Sequence, residues 1–167
     1  PGRSGDAGVD GVRVLHAVGA PNAEGRGGAW SYDGSAVPAG SSAAALSVSS
    51  RLGTATVLLV RGLQPHRAYG AHLHQLPCGA SPQDAGPHYQ QVPDPVQPSV
   101  DPAYANPVNE VWLDLHTDAA GDAVVRSTNP WSYRQAPGSL VLHAEHTSHE
   151  PGSAGTAGAR LACITLR

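Results

Sequence analysis

A chain of 167 residues is long enough to bury a core and short enough to fold as one domain. Its formal charge of −3 and its 14% share of charged residues leave no basic patch able to neutralise a phosphate backbone, so nucleic acid is not expected as a partner. No apolar run approaches the length of a membrane span, and Lys, Met and Phe are absent, which leaves a core of Val, Leu and Ala to be expected.

Residues 1–10 are rich in Gly, Asp and Ser and read as a flexible lead-in to a single domain over 11–167, a mature or trimmed soluble protein. Gly11 to Ala17 alternates weakly, and Ala29 to Tyr32 is a short apolar piece. Ala43 to Ser49 reads as a half-buried strand, and Thr54 to Val60 as a β-branched, largely buried one. Asp33-Gly34, Pro38-Ala39-Gly40 and Arg61-Gly62 separate these runs with turn chemistry. In the next strand, Gly70-Ala71-His72-Leu73-His74, a period of two puts His72 and His74 on one face and sends Leu73 into the core. Such a pair is half of a metal site, and imidazole suits copper and zinc.

Residues 77–109 are rich in Pro, Gln and Gly and lack apolar periodicity, and loops this long in compact domains usually carry function. Glu110 to Thr117 then alternates Val111, Leu113 and Leu115 with Trp112, Asp114 and His116, and Trp112 reads as a surface packing residue. Ala123 to Ser127, Ser139 to His143 and Ala159 to Leu166 supply three more strands. The expected fold class is all-β: an antiparallel eight-stranded Greek-key barrel or sandwich with a long loop and few or no helices.

Two further histidines have informative settings. His88 follows a rigid turn in Ala85-Gly86-Pro87-His88-Tyr89, and His143 ends the strand Ser139-Leu140-Val141-Leu142-His143. Alternation turns Leu140 and Leu142 inward, so that Val141 and His143 point away from the core. His143 can then share the exterior site of His72 and His74. Two cysteines without CxxC spacing leave either one long-range bridge or two free thiols, and a bridge would place the chain outside the cytoplasm.

These segments resemble the copper/zinc superoxide dismutase family. Gly70-Ala71-His72-Leu73-His74 is similar to its G-F-H-V-H segment and Ala85-Gly86-Pro87-His88-Tyr89 to A-G-P-H-F. Ser139 to His143 resembles the strand that ends in the last copper histidine, and Ala157-Gly158-Ala159-Arg160-Leu161-Ala162-Cys163 is close to A-G-S-R-L-A-C. The four occur in the family's order within residues 54–167, while the N-terminal third matches only as generic strands. The resemblance implies a superoxide-dismutase-like β-barrel in which His72, His74, His88 and His143 bind one copper ion per chain. It further implies that Arg160 guides the superoxide anion, that His88 takes part in catalysis, and that Cys78 is bridged to Cys163.

The departures from the pattern carry expectations of their own. The family's zinc site adds two histidines and an aspartate within the loop after His88, yet between Tyr89 and Glu110 this chain has no histidine and only Asp94, Asp101 and Glu110 as acids. That is a poor set for zinc, so no zinc is expected and the chain resembles the copper-only branch. A carboxylate is then expected on the freed nitrogen of His88, with Glu110 the first candidate and Asp101 behind it. The segment between His143 and Arg160 holds Glu145 and Glu150 but no Lys or Arg, which weakens anion steering. His146 and His149 offer a second, weaker metal site or a pair that catches incoming copper, and read more readily as a chance cluster on a solvated loop. The function these features imply is copper-dependent dismutation of superoxide to oxygen and hydrogen peroxide, the alternative being a copper-handling protein with little dismutase activity. A secreted, periplasmic or cell-envelope location and a monomer complete the expectations.

Overall fold

A computed structural model describes residues 11–167, so the lead-in expected over 1–10 lies outside the described residues. Among the described residues nine strands form in chain order: β1 Arg13–Gly19, β2 Ala29–Ser31, β3 Ser42–Ser50, β4 Gly53–Arg61, β5 Ala68–His74, β6 Leu115–His116, β7 Ala123–Asn129, β8 Ser139–His143 and β9 Arg160–Thr165. They make a four-stranded sheet, β1-β3-β4-β7, and a five-stranded sheet, β2-β9-β8-β5-β6, with every strand pair antiparallel. The all-β class stands, as two open sheets over a shared core in place of a closed eight-stranded barrel.

The strand expected over Glu110 to Thr117 shrinks to β6. Residues before it do run beside β5, where Leu113 N–H donates to the Ala71 carbonyl at 2.8 Å and His72 bridges to Trp112. The Ala71 N–H turns instead to the Asp114 carboxylate at 3.3 Å, so a side chain replaces one rung of the ladder.

The core also departs from an all-aliphatic one. Leu58, Val60, Leu73, Leu140, Leu142 and Ile164 pack with buried Tyr69, Tyr89 and Tyr133. At one end of the four-stranded sheet hydroxyls point inward: Ser47 Oγ lies 2.8 Å from Thr56 Oγ1 and 2.6 Å from Tyr133 Oη, and Thr54 Oγ1 donates to Ser49 Oγ at 2.8 Å. Each of these four-stranded-sheet hydroxyls is thereby satisfied, as an apolar interior requires.

The other sheet positions the site. On β8, Leu140 and Leu142 enter the core while Val141 and His143 leave it, yet both of the latter are buried because loops cover this outer face. Val141 packs with Cys163 and Ala85, beside the Cys78–Cys163 disulfide, which joins the loop after β5 to β9 across 85 residues. Gly70 lets residues 144–158 close down on β5, since a Cβ there would meet the Glu145 carbonyl oxygen and approach Ala157 Cβ to 2.8 Å.

A bulge in β9 breaks the alternation. Leu142 pairs with Ala162 but His143 pairs with Arg160, so that Leu161 and Ala162 both enter the core. The extra residue moves Arg160 onto the face of His143, the re-aiming that bulges perform.

Candidate metal centre

His72 and His74 come from β5, His143 from the end of β8, and His88 from the loop that returns along β5. That return is fixed by backbone bonds: Leu76 N–H to the Ala85 carbonyl at 3.0 Å, Gln75 N–H to Pro87 at 3.0 Å and Tyr89 N–H to Leu73 at 2.9 Å. A 3-10 turn, Pro82–Ala85, opens the return, capped by Ser81, whose Oγ accepts from Gln83 while Asp84 accepts from the Ser81 N–H. His88 is thus bridged to His74, and one ring nitrogen from each of the four histidines falls within 4.8 Å of the others.

Each ring is oriented through its other nitrogen. The Thr147 hydroxyl donates to Asp114 Oδ1 at 2.7 Å, so its oxygen is left to accept from His72 Nε2 at 2.7 Å. His74 Nδ1 donates to the Gly86 carbonyl at 2.8 Å, His143 Nδ1 to Gly158 at 3.4 Å and His88 Nδ1 to Glu110 Oε1 at 2.7 Å. These acceptors fix the tautomers and leave unprotonated nitrogens aimed at a common centre: Nδ1 of His72 and Nε2 of His74, His88 and His143.

Two observations mark that centre as fitted for a cation. His72 Nδ1 is buried without a hydrogen-bond partner. His74 Nε2 and His143 Nε2 stand 3.2 Å apart with lone pairs opposed, a contact that a shared cation relieves. Burial, then the neighbouring imidazoles, holds His72 and His74 well below the ordinary histidine range; burial and His88 push His143 down to about 3. Neutral imidazole is the ligating form.

Glu110, 1% exposed, ties the site together. Its Oε1 accepts from His88 Nδ1 at 2.7 Å and from Trp112 Nε1 at 2.8 Å, and its Oε2 accepts from Gln90 Nε2 at 2.8 Å. Trp112 thus does more than pack: it also sets its edge against His72, with ring centroids 6.0 Å apart. Asp94 and Asp101 serve the loop itself, Asp94 accepting from Val96 and Ser99, and Asp101 from Ala103. His146 donates to the Leu115 carbonyl at 3.0 Å while His149 stacks edge-on against Trp112, so the two do not converge.

Arg160 Nη1 donates to the Pro82 carbonyl at 3.0 Å, and burial lowers its guanidinium from the ordinary value. With His88, His143 and Gly158 it lines a cavity of about 270 Å³ opening beside the imidazole cluster. Sequence reasoning missed Thr147, Asp114, Gln90 and Trp112 as the groups that orient His72 and Glu110. The one available signal was the alternation that places Trp112 and Asp114 on a common face.

The fold is similar to that of a Cu/Zn superoxide dismutase from Brucella abortus, at 17% sequence identity and a TM-score of 0.59, covering 93% of this chain and 99% of that one. It is also similar to a double mutant of a SOD-like protein from Bacillus subtilis, at 16% identity and a TM-score of 0.51, over 72% of this chain and 86% of that one. No protein-family model and no curated protein matches the sequence. The fold is therefore superoxide-dismutase-like, and the four-histidine cluster is suited to a metal ion.

Proposed function

We propose that the chain binds one copper ion through His72, His74, His88 and His143, without zinc, and dismutates superoxide to oxygen and hydrogen peroxide outside the cytoplasm. The observation that carries this reading is the set of four converging, unprotonated imidazole nitrogens, with His88 Nδ1 held by Glu110. Four neutral nitrogen donors favour copper among the divalent metals, and a carboxylate occupies the ring nitrogen that a second metal would need. The disulfide accords with an oxidising compartment.

Copper, when bound, supplies a one-electron couple that takes an electron from one superoxide and gives it to the next. The chain does the rest. Arg160 presents the cation beside the cavity mouth, where its free guanidinium N–H groups can donate to a small anion. His88 Nε2 would be the proton site whenever it is released from the metal: with Nδ1–H on Glu110, the ring would take a proton there as an imidazolium paired to the carboxylate and return it to the reduced anion, water supplying the second proton of hydrogen peroxide. The buried rings and the β5–β8 frame exclude water from the other sides.

Arg160→Ala tests the anion role. Turnover per bound copper should fall by at least about tenfold and lose much of its salt dependence, while copper stoichiometry stays unchanged. Equal turnover in the variant would remove Arg160 from the account. Stoichiometric copper with negligible turnover in the unaltered chain would favour the copper-handling alternative.

A further inference from the structure

Trp112 stands in the stretch before β6 that runs beside β5, bridged across to His72. Alternation turns Val111 and Leu113 into the core and Trp112 toward the imidazoles. Among the described residues it is the one indole or phenol ring in ring contact with the four histidines, its edge set against His72 with centroids 6.0 Å apart. Its Nε1–H donates to Glu110 Oε1 at 2.8 Å, the same oxygen that accepts from His88 Nδ1 at 2.7 Å. One indole thus reaches two of the four histidines, one by direct contact and one through a shared carboxylate oxygen. It also reaches solvent: Trp112 is half-buried and packs edge-on against exposed His149, with centroids 5.0 Å apart.

The buried carboxylate makes this indole unlike the other two. Withdrawing an electron from Trp112 turns its N–H into a cationic donor, and the bond to Glu110 then strengthens, in surroundings of low dielectric that screen the two charges little. Trp131 Nε1 donates instead to the Val108 carbonyl at 2.7 Å, a neutral acceptor. Trp30 lies on β2, at the edge of the five-stranded sheet opposite β6. Sulfur, the usual first target of oxidants, offers no competitor, because the chain has no Met and Cys78 and Cys163 are bridged. Trp112 is therefore the side chain best placed to give up an electron beside the metal centre.

We infer that Trp112 is an electron relay between the metal centre and solvent. The inference rests on the copper reading, which supplies both the metal and the oxidant, hydrogen peroxide. Peroxide that meets the reduced centre takes up two electrons and two protons from solvent and leaves as two waters. Copper gives one electron, passing from Cu(I) to Cu(II), and Trp112 gives the other, becoming an indole radical cation held by Glu110. A small phenol at the solvent edge of the ring then returns the electron, loses its hydroxyl proton to water and departs as a phenoxyl radical. Without the relay the nearest source of the second electron is a ligand imidazole, whose oxidation ends metal binding.

Freeze-quench electron paramagnetic resonance and peptide mass spectrometry test it, on the Cu(I)-loaded chain mixed with one equivalent of hydrogen peroxide. An indole radical should form, oxygen adducts should collect on Trp112 ahead of Trp30 and Trp131, and excess phenol should abolish both signals. In Trp112→Phe the radical should be lost, adducts on His72 and His88 should rise severalfold, and the copper retained after exposure should fall. The adduct map of the unaltered chain decides the matter independently of any variant. A radical that survives Trp112→Phe, adducts spread evenly over the three tryptophans, or a chain that holds one copper and forms no radical would overturn the inference and leave the copper reading standing. A chain that takes up no copper would overturn both.

Discussion

Glu110→Gln should weaken copper binding by about 10- to 100-fold and destabilise the metal-free fold by about 1–3 kcal/mol. The carboxylate is buried and receives three donors, from His88, Trp112 and Gln90. An amide of the same shape keeps one acceptor oxygen and replaces the other with an NH₂. Whichever way it turns, that NH₂ faces a donor: Gln90 on one side, or the His88 and Trp112 N–H groups on the other. At least one buried donor loses its partner, and the negative charge that would balance a protonated His88 ring is lost. For a domain of this size 1 kcal/mol corresponds to about 2–4 °C in Tm, so Tm should fall by several degrees. A chelator competition titration and calorimetry of the metal-free protein would check both effects. Unchanged copper affinity would mean that Glu110 does not set the His88 ring.

The double substitution Cys78→Ala, Cys163→Ala should cost more. The bridge closes a loop of 85 residues, and the chain-entropy relation assigns such a closure about 4–5 kcal/mol at 25 °C. The expected fall in Tm is about 8–20 °C. Position adds a local effect. The loop it anchors carries the Pro82 carbonyl that holds Arg160 and the Ala85 and Pro87 carbonyls that steer the return to His88. Amide exchange should therefore quicken first over residues 75–89, before the β3–β4 ladder opens. A fall in Tm below about 2 °C, with exchange unaltered there, would contradict this role.

Much of the architecture is legible in the chain. Alternating apolar runs bounded by Gly and Pro locate most strands within a residue or two, and the His72–His74 spacing alone places two imidazoles on one face. His88 and His143 are legible as neighbours of that pair only through the resemblance, because nothing local states that residues 77–109 fold back along β5. Other features lie beyond periodicity. Arg160 reaches the site by way of a bulge, which reverses the alternation that precedes it. The strand sought over Glu110 to Thr117 gives way to side-chain bonds by Asp114 and Glu110, and such substitutions leave no trace in a hydrophobic pattern. The four-stranded sheet misleads in a different way: its patterning is real, but its aliphatic side faces out at one end while hydroxyls satisfy one another within.

The most direct test of the central claim is metal content by elemental analysis of copper-reconstituted protein, read together with superoxide turnover per bound copper and a His88→Ala control. The account predicts one copper per chain, no zinc even when zinc is supplied, and fast turnover that collapses in the variant. Two metals per chain, or a single copper with turnover that His88→Ala leaves intact, would contradict it.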